Sequence, residues 1–482
     1  MGGSSVITTI IGIVRTKFLA VILGPYGVGL SGIYQSTNFL ISTVSGMGIG
    51  ESGIRQIAEA SGTGDNALIS RTALCIRRAA LLSGIAGSLL MLFMCGYLSR
   101  LTFGDSSHSF DFEVLSAAIF LGAVSDGQTA LIRGMRRIPD LAKLGILGAF
   151  WGTVLSIPVI YFVGEKGIAA YLIIVAATGI IASWWYSRKI DAGGEKISWS
   201  GSFAEARPLL RLGVAFMLGS LIIVGSQYLL RVIIIRRGGL GAAGLYQAST
   251  TLSSVYVGVI LNAMMTDYYP RLTSSINDTE ETNSLVNKQI EVGLLLAGPI
   301  ILAMVTFAPI VIAAFYSSKF MPAVYILRWQ ILGVLLSVVT WPMGFMLRAK
   351  GEGRLFFWTE LAAKGMLLIL AWAGITYYGL SGIGMAYFGM NLFYGILISL
   401  IIRKNNGFSF STRNIQLLSF FFLLTVVVFA ISVFLSWTAL VINIIISLAA
   451  GLFSLKTLFV NIEMMPAALL RIRSRFSNLR EM

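Results

Sequence analysis

The chain has 482 residues, of which 56% are hydrophobic and only 12% charged, with a formal net charge of +15 and a mean hydropathy of +0.83. That composition excludes a soluble domain, and apolar runs that are continuous rather than alternating exclude an outer-membrane barrel. The excess of cations does not point to nucleic acid, because it gathers in alternate loops as the positive-inside rule requires of a polytopic helical membrane protein.

Apolar runs bounded by charges, Gly or Pro predict about fourteen transmembrane helices, near 4–23, 28–50, 79–99, 113–133, 142–163, 167–187, 212–235, 243–268, 290–316, 323–347, 356–378, 382–402, 416–435 and 438–459. The first run is full length and lacks a small-residue cleavage motif, so it reads as a span rather than a removable signal peptide. Basic residues follow the even-numbered spans: Arg71, Arg77 and Arg78, then Arg136 and Arg137, Arg188 and Lys189, Arg271, Arg348 and Lys350, and Arg403 and Lys404. Both termini are therefore expected in the cytoplasm, with a basic tail from Arg471 to Arg480.

Span 1 carries Arg15 and Lys17 at a depth where a charge costs about 2.5–3.5 kcal/mol even on lenient insertion scales. Two residues apart, they are rotated by about 200° around the helix, so one faces an internal cavity and the other an interface or partner helix. Span 2 ends in Gly46-Met47-Gly48-Ile49-Gly50, which permits close helix packing or an unwound end, and Arg55 follows at the expected cytoplasmic mouth. His108, the only histidine, lies in a short polar loop with Asp105 and Asp111 and reads as solvated. Asp126 in span 4 is the deepest carboxylate, with Gln128 and Arg133 close behind it. Its two readings are neutralisation of a neighbouring cation such as Arg15, or proton or ion coupling. Arg231 in span 7 and Arg328 in span 10 lie near the outer ends, where they either snorkel or contribute to an anion site. Glu360 and Lys364, four apart on span 11, are expected to form a structural pair. Tyr26, Tyr34, Phe39, Tyr228, Tyr246 and Tyr256 read either as a stacking surface for sugar rings or as interfacial belt residues.

The chain also repeats itself. Gly32-Ile33-Tyr34-Gln35-Ser36-Thr37 returns as Gly244-Leu245-Tyr246-Gln247-Ala248-Ser249, Leu131-Ile132-Arg133-Gly134 as Met346-Leu347-Arg348-Ala349, and Gly167-Ile168 as Gly382-Ile383. One three-residue insertion reconciles the three spacings. Six spans per copy give parallel repeats with a substrate site between them. The expected organisation is an N-terminal six-helix lobe (1–190), a cytoplasmic inter-lobe loop (191–206), a C-terminal six-helix lobe (207–405), two additional transmembrane helices (406–460) and a basic cytoplasmic tail (461–482).

No enzyme is indicated. There is no Gly-x-x-x-x-Gly-Lys-Ser/Thr loop for nucleotide, Cys75 and Cys95 are too few and too scattered for a metal site, and one loop histidine makes no nucleophilic pair. What remains is a set of buried cations, Arg15, Lys17, Arg55, Arg231 and Arg328, suited to an anionic cargo. Guanidinium groups bind phosphate through two parallel hydrogen bonds, so a diphosphate head group fits this set best.

The stretch from Lys17-Phe18-Leu19-Ala20-Val21-Ile22-Leu23-Gly24-Pro25-Tyr26-Gly27 to Leu30 resembles the end of the first helix of Wzx-type polysaccharide translocases, and Gly46 to Gly50 with Arg55-Gln56-Ile57-Ala58 resembles the end of their second helix. These proteins belong to the multidrug/oligosaccharidyl-lipid/polysaccharide exporter superfamily. The resemblance extends in outline over residues 1–405. It implies a flippase in the bacterial inner membrane that moves an undecaprenyl-diphosphate-linked O-antigen or exopolysaccharide unit to the periplasmic leaflet by alternating access. It further implies no bound cofactor, coupling to an H⁺ or Na⁺ gradient, and a polysaccharide polymerase with its chain-length machinery as partners besides membrane lipids. In that family Lys17 matches a basic position, Arg15 and Arg55 resemble cavity arginines of lipid II flippases, and spans 13 and 14 help form a groove for the lipid tail. The start is abrupt for the family, which implies missing upstream residues. The alternatives are a lipid II flippase and a multidrug antiporter; the second needs an acid in span 1 or 7, and both spans carry cations instead.

Overall fold

The structure, a computed structural model, describes residues 2–190, 199–432, 434 and 437–460. The basic tail over 461–482 and positions 191–198 of the inter-lobe loop lie outside these residues. Regular structure among the described residues is entirely helical. The α-helices are α1 (Gly2–Gly46), α2 (Ile49–Thr63), α3 (Asn66–Phe103), α4 (Ser109–Gly134), α5 (Ile138–Val163), α6 (Ile168–Ser187), α7 (Trp199–Ser275), α8 (Thr279–Phe315), α9 (Ala323–Ala349), α10 (Gly353–Asn406), α11 (Thr412–Ile431) and α12 (Trp437–Val460).

Among the described residues, ten helical stretches are long and apolar enough to cross a membrane. Several are too long for one crossing: the 54 residues of α10 would extend about 80 Å, against a hydrocarbon core of about 30 Å. The excess is explained by breaks. Gly24 (φ 66°) interrupts α1 immediately before Pro25, Gly164 (φ 66°) separates α5 from α6, Gly239 (φ 80°) interrupts α7 and Gly379 (φ 59°) interrupts α10. Glycine alone enters that backbone region without a Cβ penalty, and each break lets an apolar run fold back on itself. With four stretches doubled, the ten give the fourteen expected spans.

The breaks correct the register of the duplication. Gly239 follows Gly24, and Gly379 follows Gly164, by 215 positions, the spacing that also separates Arg133 from Arg348. The repeats therefore align without an insertion. Gly29 corresponds to Gly244 and Leu30 to Leu245, and the match of Tyr34 to Tyr246 is out of register by three residues.

Two compact units result, Met1–Gln247 with Phe315–Lys319, and Ala248–Ala314 with Phe320–Met482. In the first, α4 packs on α3 and α6, and α5 lies against α1 and α6. One layer of its core joins Ile57 of α2, Ala73 and Ile76 of α3 and Leu131 and Ile132 of α4, all essentially inaccessible. Gly134 is small because a Cβ there would run into Ile57. In the second unit, α9 packs along α10. The helices α11 and α12 are tied to α8: Asn287 accepts from the Ser411 backbone N–H at 2.8 Å and from Asn414 Nδ2 at 2.9 Å, the buried Glu291 pairs with Arg413, and Thr306 Oγ1 lies 3.4 Å from Ser447 Oγ of α12.

Candidate functional site

The polar face of α4 defines the candidate site. Asp126, Thr129 and Arg133 are spaced three and four apart, so they share one side of the helix. That side lines a cavity of about 330 Å³ in the first unit, together with Ser42 and Thr43 of α1, the start of α2, Ser83 of α3 and Ser220 of α7. Asp126 and Arg133 both remain accessible within it.

The glycine run at the end of α1 builds the second wall. Met47 (φ 44°) and Gly48 (φ 65°) both adopt left-handed backbone, which ends α1 and starts α2. A β-carbon on Gly48 would overlap the carbonyl oxygen of Gly213, so the position also demands glycine for close approach. Both sequence expectations for this run, close packing and an unwound end, are met at one residue. Gly48 offers no side-chain cap to α2. The backbone N–H groups of Ile49, Gly50 and Glu51 therefore start a helix without a side-chain cap at the cavity wall, which puts the positive end of the α2 dipole in the lining. Amide donors, a guanidinium and several hydroxyls face two carboxylates, Asp126 and Glu51. Such a surface binds phosphoryl and polyhydroxy groups, and its carboxylates can accept from sugar hydroxyls or hold a proton.

The five cations singled out from the sequence occupy separate surroundings. Arg15 lies half-buried over the ring of Tyr171 in α6, 5.8 Å from its centroid. Lys17 is half-buried on α1. Arg55 is exposed and pairs with Glu59 one turn later at 2.8 Å. Arg231 donates to Gln247 Oε1 at 2.7 Å and to the Gln227 carbonyl at 3.3 Å, with its Nε unpartnered. Arg328 is buried in the second unit and donates to the Ser432 carbonyl at 3.1 Å. Asp126 shares its cavity with Arg133; Arg15 is not among the lining residues.

Sequence reading passed over Arg133 and Arg348 as site residues, although the duplication marked both. Arg348 lines a second cavity, of about 280 Å³, with Trp341, Gly344 and Phe345 of α9 and Glu360 and Lys364 of α10. These α9 positions correspond, 215 residues on, to Asp126, Thr129, Ala130 and Arg133, so one helix face lines a cavity in each repeat.

Of the aromatic residues singled out, Tyr34 and Tyr228 are interior hydrogen-bonding groups and Tyr246 is buried, Tyr26 and Phe39 are exposed, and the Tyr256 side chain lies outside what the structure describes. Tyr34 is fully buried and donates to Asp111 Oδ2 at 2.5 Å, with His108 Nδ1 2.9 Å away, and Tyr228 meets Thr102 Oγ1 at 2.8 Å. His108 is accordingly not a solvated loop residue: it bonds Asp111 at 3.1 Å and packs on Phe103. Its partner Tyr34 lies 74 residues away, which no local pattern could reveal. Between α11 and α12 runs an apolar groove of about 720 Å³, walled by Leu417, Phe420, Ile446 and Phe453, with Arg413 and Gln416 at one end.

Residues 2–276 match the family described as polysaccharide biosynthesis protein. The chain belongs to this family. A lipid III flippase of Escherichia coli K12 is 22% identical over 390 residues, covering 80% of this chain and 92% of that protein, and the Shigella flexneri lipid III flippase matches equally. The fold is that of the multidrug/oligosaccharidyl-lipid/polysaccharide exporter superfamily. The lipid II flippase MurJ in an inward closed conformation superposes with a TM-score of 0.70 at 15% identity, covering 96% of this chain and 99% of that one. An inward-facing multidrug MATE transporter gives 0.71 at 17% identity, with 83% and 94% covered. This family member is thus a multi-span membrane protein with a transporter fold, and its relatives are flippases and transporters rather than enzymes.

Proposed function

We propose that the chain flips an undecaprenyl-diphosphate-linked oligosaccharide, an O-antigen or exopolysaccharide repeat unit, from the cytoplasmic to the periplasmic leaflet of the bacterial inner membrane by alternating access. The observation that carries this reading is the α4 cavity. There Arg133 and the uncapped N-terminus of α2 meet in one space, a donor set suited to phosphoryl oxygen. The lipid III flippase supports it as a relative handling a lipid-linked cargo. In this reading Arg133 grips the diphosphate, while Ser42, Thr129 and Asp126 meet sugar hydroxyls. The groove between α11 and α12 takes the isoprenoid tail, since its walls are apolar and Arg413 stands at its end.

Asp126 is the residue assigned to H⁺ or Na⁺ coupling, because it is the carboxylate set into α4 beside the gripping arginine. Arg15, Lys17 and Arg231 stand as secondary contacts, each with a protein neighbour or helix surface to satisfy it when cargo is absent, whereas the exposed pair with Glu59 accounts for Arg55. Both termini lie in the cytoplasm, and polymerase and chain-length proteins receive the product.

The test is glycan export in a strain lacking its own translocase. Arg133→Ala is expected to reduce export at least about tenfold with unchanged protein level in the membrane. Export at the wild-type rate would remove the cavity from the mechanism. A lipid II flippase is distinguished by rescue of cells depleted of theirs, and a drug antiporter by resistance to cationic dyes.

A further inference from the structure

A further cavity lies in the second unit, at the N-terminal end of α9. Arg328, in the second turn of that helix, is only 6% exposed, and Asn443 of α12 is 2% exposed. Both line a cavity of about 220 Å³ with Thr306, Ser432, Phe434 and Trp437.

Each of the two buried groups is half-satisfied. Arg328 Nη1 donates to the Ser432 carbonyl, but its Nε has no partner, and among the described residues no carboxylate pairs with it. Asn443 Nδ2 donates to Ser432 Oγ at 2.9 Å and to the Val428 carbonyl at 3.4 Å, which fixes the amide orientation and leaves Oδ1 unpartnered. A buried cation without a counter-ion and a buried acceptor without a donor are both costly, and one ligand can relieve both. It must present an anionic acceptor and, a few atoms away, a hydroxyl donor.

Size and surroundings narrow the class. The cavity is below the range of about 300–1,000 Å³ usual for whole small-molecule sites, so it takes a head group and not an oligosaccharide. Its rim carries Phe434 and Trp437, 72% and 83% exposed, at the turn joining α11 to α12. Aromatic residues at helix ends mark the level of lipid head groups. We propose that this cavity binds the head group of a membrane glycerophospholipid, the phosphodiester accepting from the Arg328 guanidinium and a glycerol hydroxyl donating to Asn443 Oδ1. The bound lipid pins the α11–α12 turn to the start of α9, and Arg328 serves a resident lipid rather than the transported diphosphate.

The delipidated full-length protein in detergent is titrated with dioleoyl-phosphatidylglycerol, dioleoyl-phosphatidylcholine and inorganic phosphate, and bound lipid is counted by native mass spectrometry. Wild type is expected to hold phosphatidylglycerol at least about tenfold more tightly than phosphatidylcholine, a preference that Arg328→Gln loses. Asn443→Asp forfeits the Nδ2 bonds but places a carboxylate in the same cavity as Arg328, so it should fold, with its midpoint read beside binding, and bind no phosphatidylglycerol. It also carries the comparison if Arg328→Gln does not accumulate. Equal binding of phosphatidylglycerol by wild type and both variants overturns the proposal. So does displacement of the lipid by equimolar inorganic phosphate, which would mean a free-anion site. Displacement by an equimolar undecaprenyl-diphosphate sugar overturns it in favour of a cargo site, and leaves the α4 cavity to be judged separately by the Arg133→Ala export result.

Discussion

Gly29 and Gly244 cross backbone to backbone, each against the other's neighbourhood in the same way. A Cβ on Gly29 would overlap the Leu240 carbonyl and stand 2.9 Å from the Gly244 nitrogen, whereas one on Gly244 would overlap the Pro25 carbonyl and stand 3.0 Å from the Gly29 nitrogen. Pro25 and Leu240 are themselves 215 apart, so the contact is reciprocal between repeat-equivalent residues. An isologous crossing of two copies of one motif has this property, and it needs small residues so that the helices can approach.

Substitution at the crossing should be costly and non-additive. Gly29→Ala and Gly244→Ala are each expected to destabilise the protein by about 1–3 kcal/mol, the usual range for overpacking. The double variant should cost less than the sum, because one separation of the two segments relieves both overlaps. Gly241→Ala is the local control, since nothing lies within 4 Å of its added carbon. Thermal midpoints of the purified variants decide the matter, and equal effects at Gly241 and Gly244 would reject the crossing.

How far the sequence carried the fold follows from what is local. Span number, the breaks near Gly24 and Gly164, and the unwound end at Gly48 depend on short-range composition and backbone freedom, and all are legible. The register of the repeat was misread because Tyr34 and Tyr246 look alike, whereas the backbone breaks at Gly24 and Gly239 hold the true equivalence. The site was only half legible. Asp126 stood out as the deepest carboxylate, whereas Arg133 was only its neighbour in sequence, and it is the turn spacing of α4 that puts both in one cavity. Arg55 pointed to a mouth that its pairing with Glu59 does not form by itself.

The Tyr34–Asp111–His108 cluster should behave as one hydrogen-bonded unit joining α1 to the start of α4. Tyr34→Phe removes a bond to a charged acceptor and is expected to cost about 1.5–3 kcal/mol. Asp111→Asn in the Tyr34→Phe background should add much less than it does alone. A double-mutant cycle on thermal or denaturant midpoints gives the coupling, and a zero coupling energy would show that the cluster is not a unit.

The loop between α3 and α4 should lose order in acid through Asp105. Its carboxyl accepts from the Ser107 hydroxyl at 2.5 Å and the Ser107 N–H at 3.0 Å. These bonds, with His108 and Arg236 adding attraction, hold it below the usual carboxylate range. A depressed folded value means that the stabilisation is complete above the unfolded carboxylate pKa of about 3.9 and is lost as pH falls through the folded value. Ser107→Ala should move that loss to higher pH, as read by amide exchange in the loop between about pH 5 and 3.

Arg55 separates a surface pair from a gate. Its contact with Glu59 is an exposed i,i+4 bridge, so Arg55→Ala should change stability by no more than about 0.5 kcal/mol. Export is expected to stay near wild type, because the pair accounts for the side chain. A large loss of export at unchanged thermal midpoint would instead give Arg55 a part in cargo passage.

Arg133 and Arg348 occupy equivalent places but should respond differently to truncation. Arg133 stands accessible in the α4 cavity, so Arg133→Ala should reduce export and leave the thermal midpoint nearly unchanged. Arg348 lies 4.8 Å from the Phe345 ring centroid and 4.1 Å from that of Phe356, bridging α9 to α10. Removing it forfeits two cation–π contacts, each about 0.5–1 kcal/mol at an exposed site. Arg348→Ala should therefore lower stability by about 1–2 kcal/mol, and Arg348→Lys, which keeps the charge over the rings, should recover most of it. If both alanine variants lose export equally with no change in midpoint, the two repeats use this arginine for the same task. If the midpoint falls only for Arg348→Ala, the duplication has kept the residue for two purposes, cargo contact in one repeat and helix packing in the other.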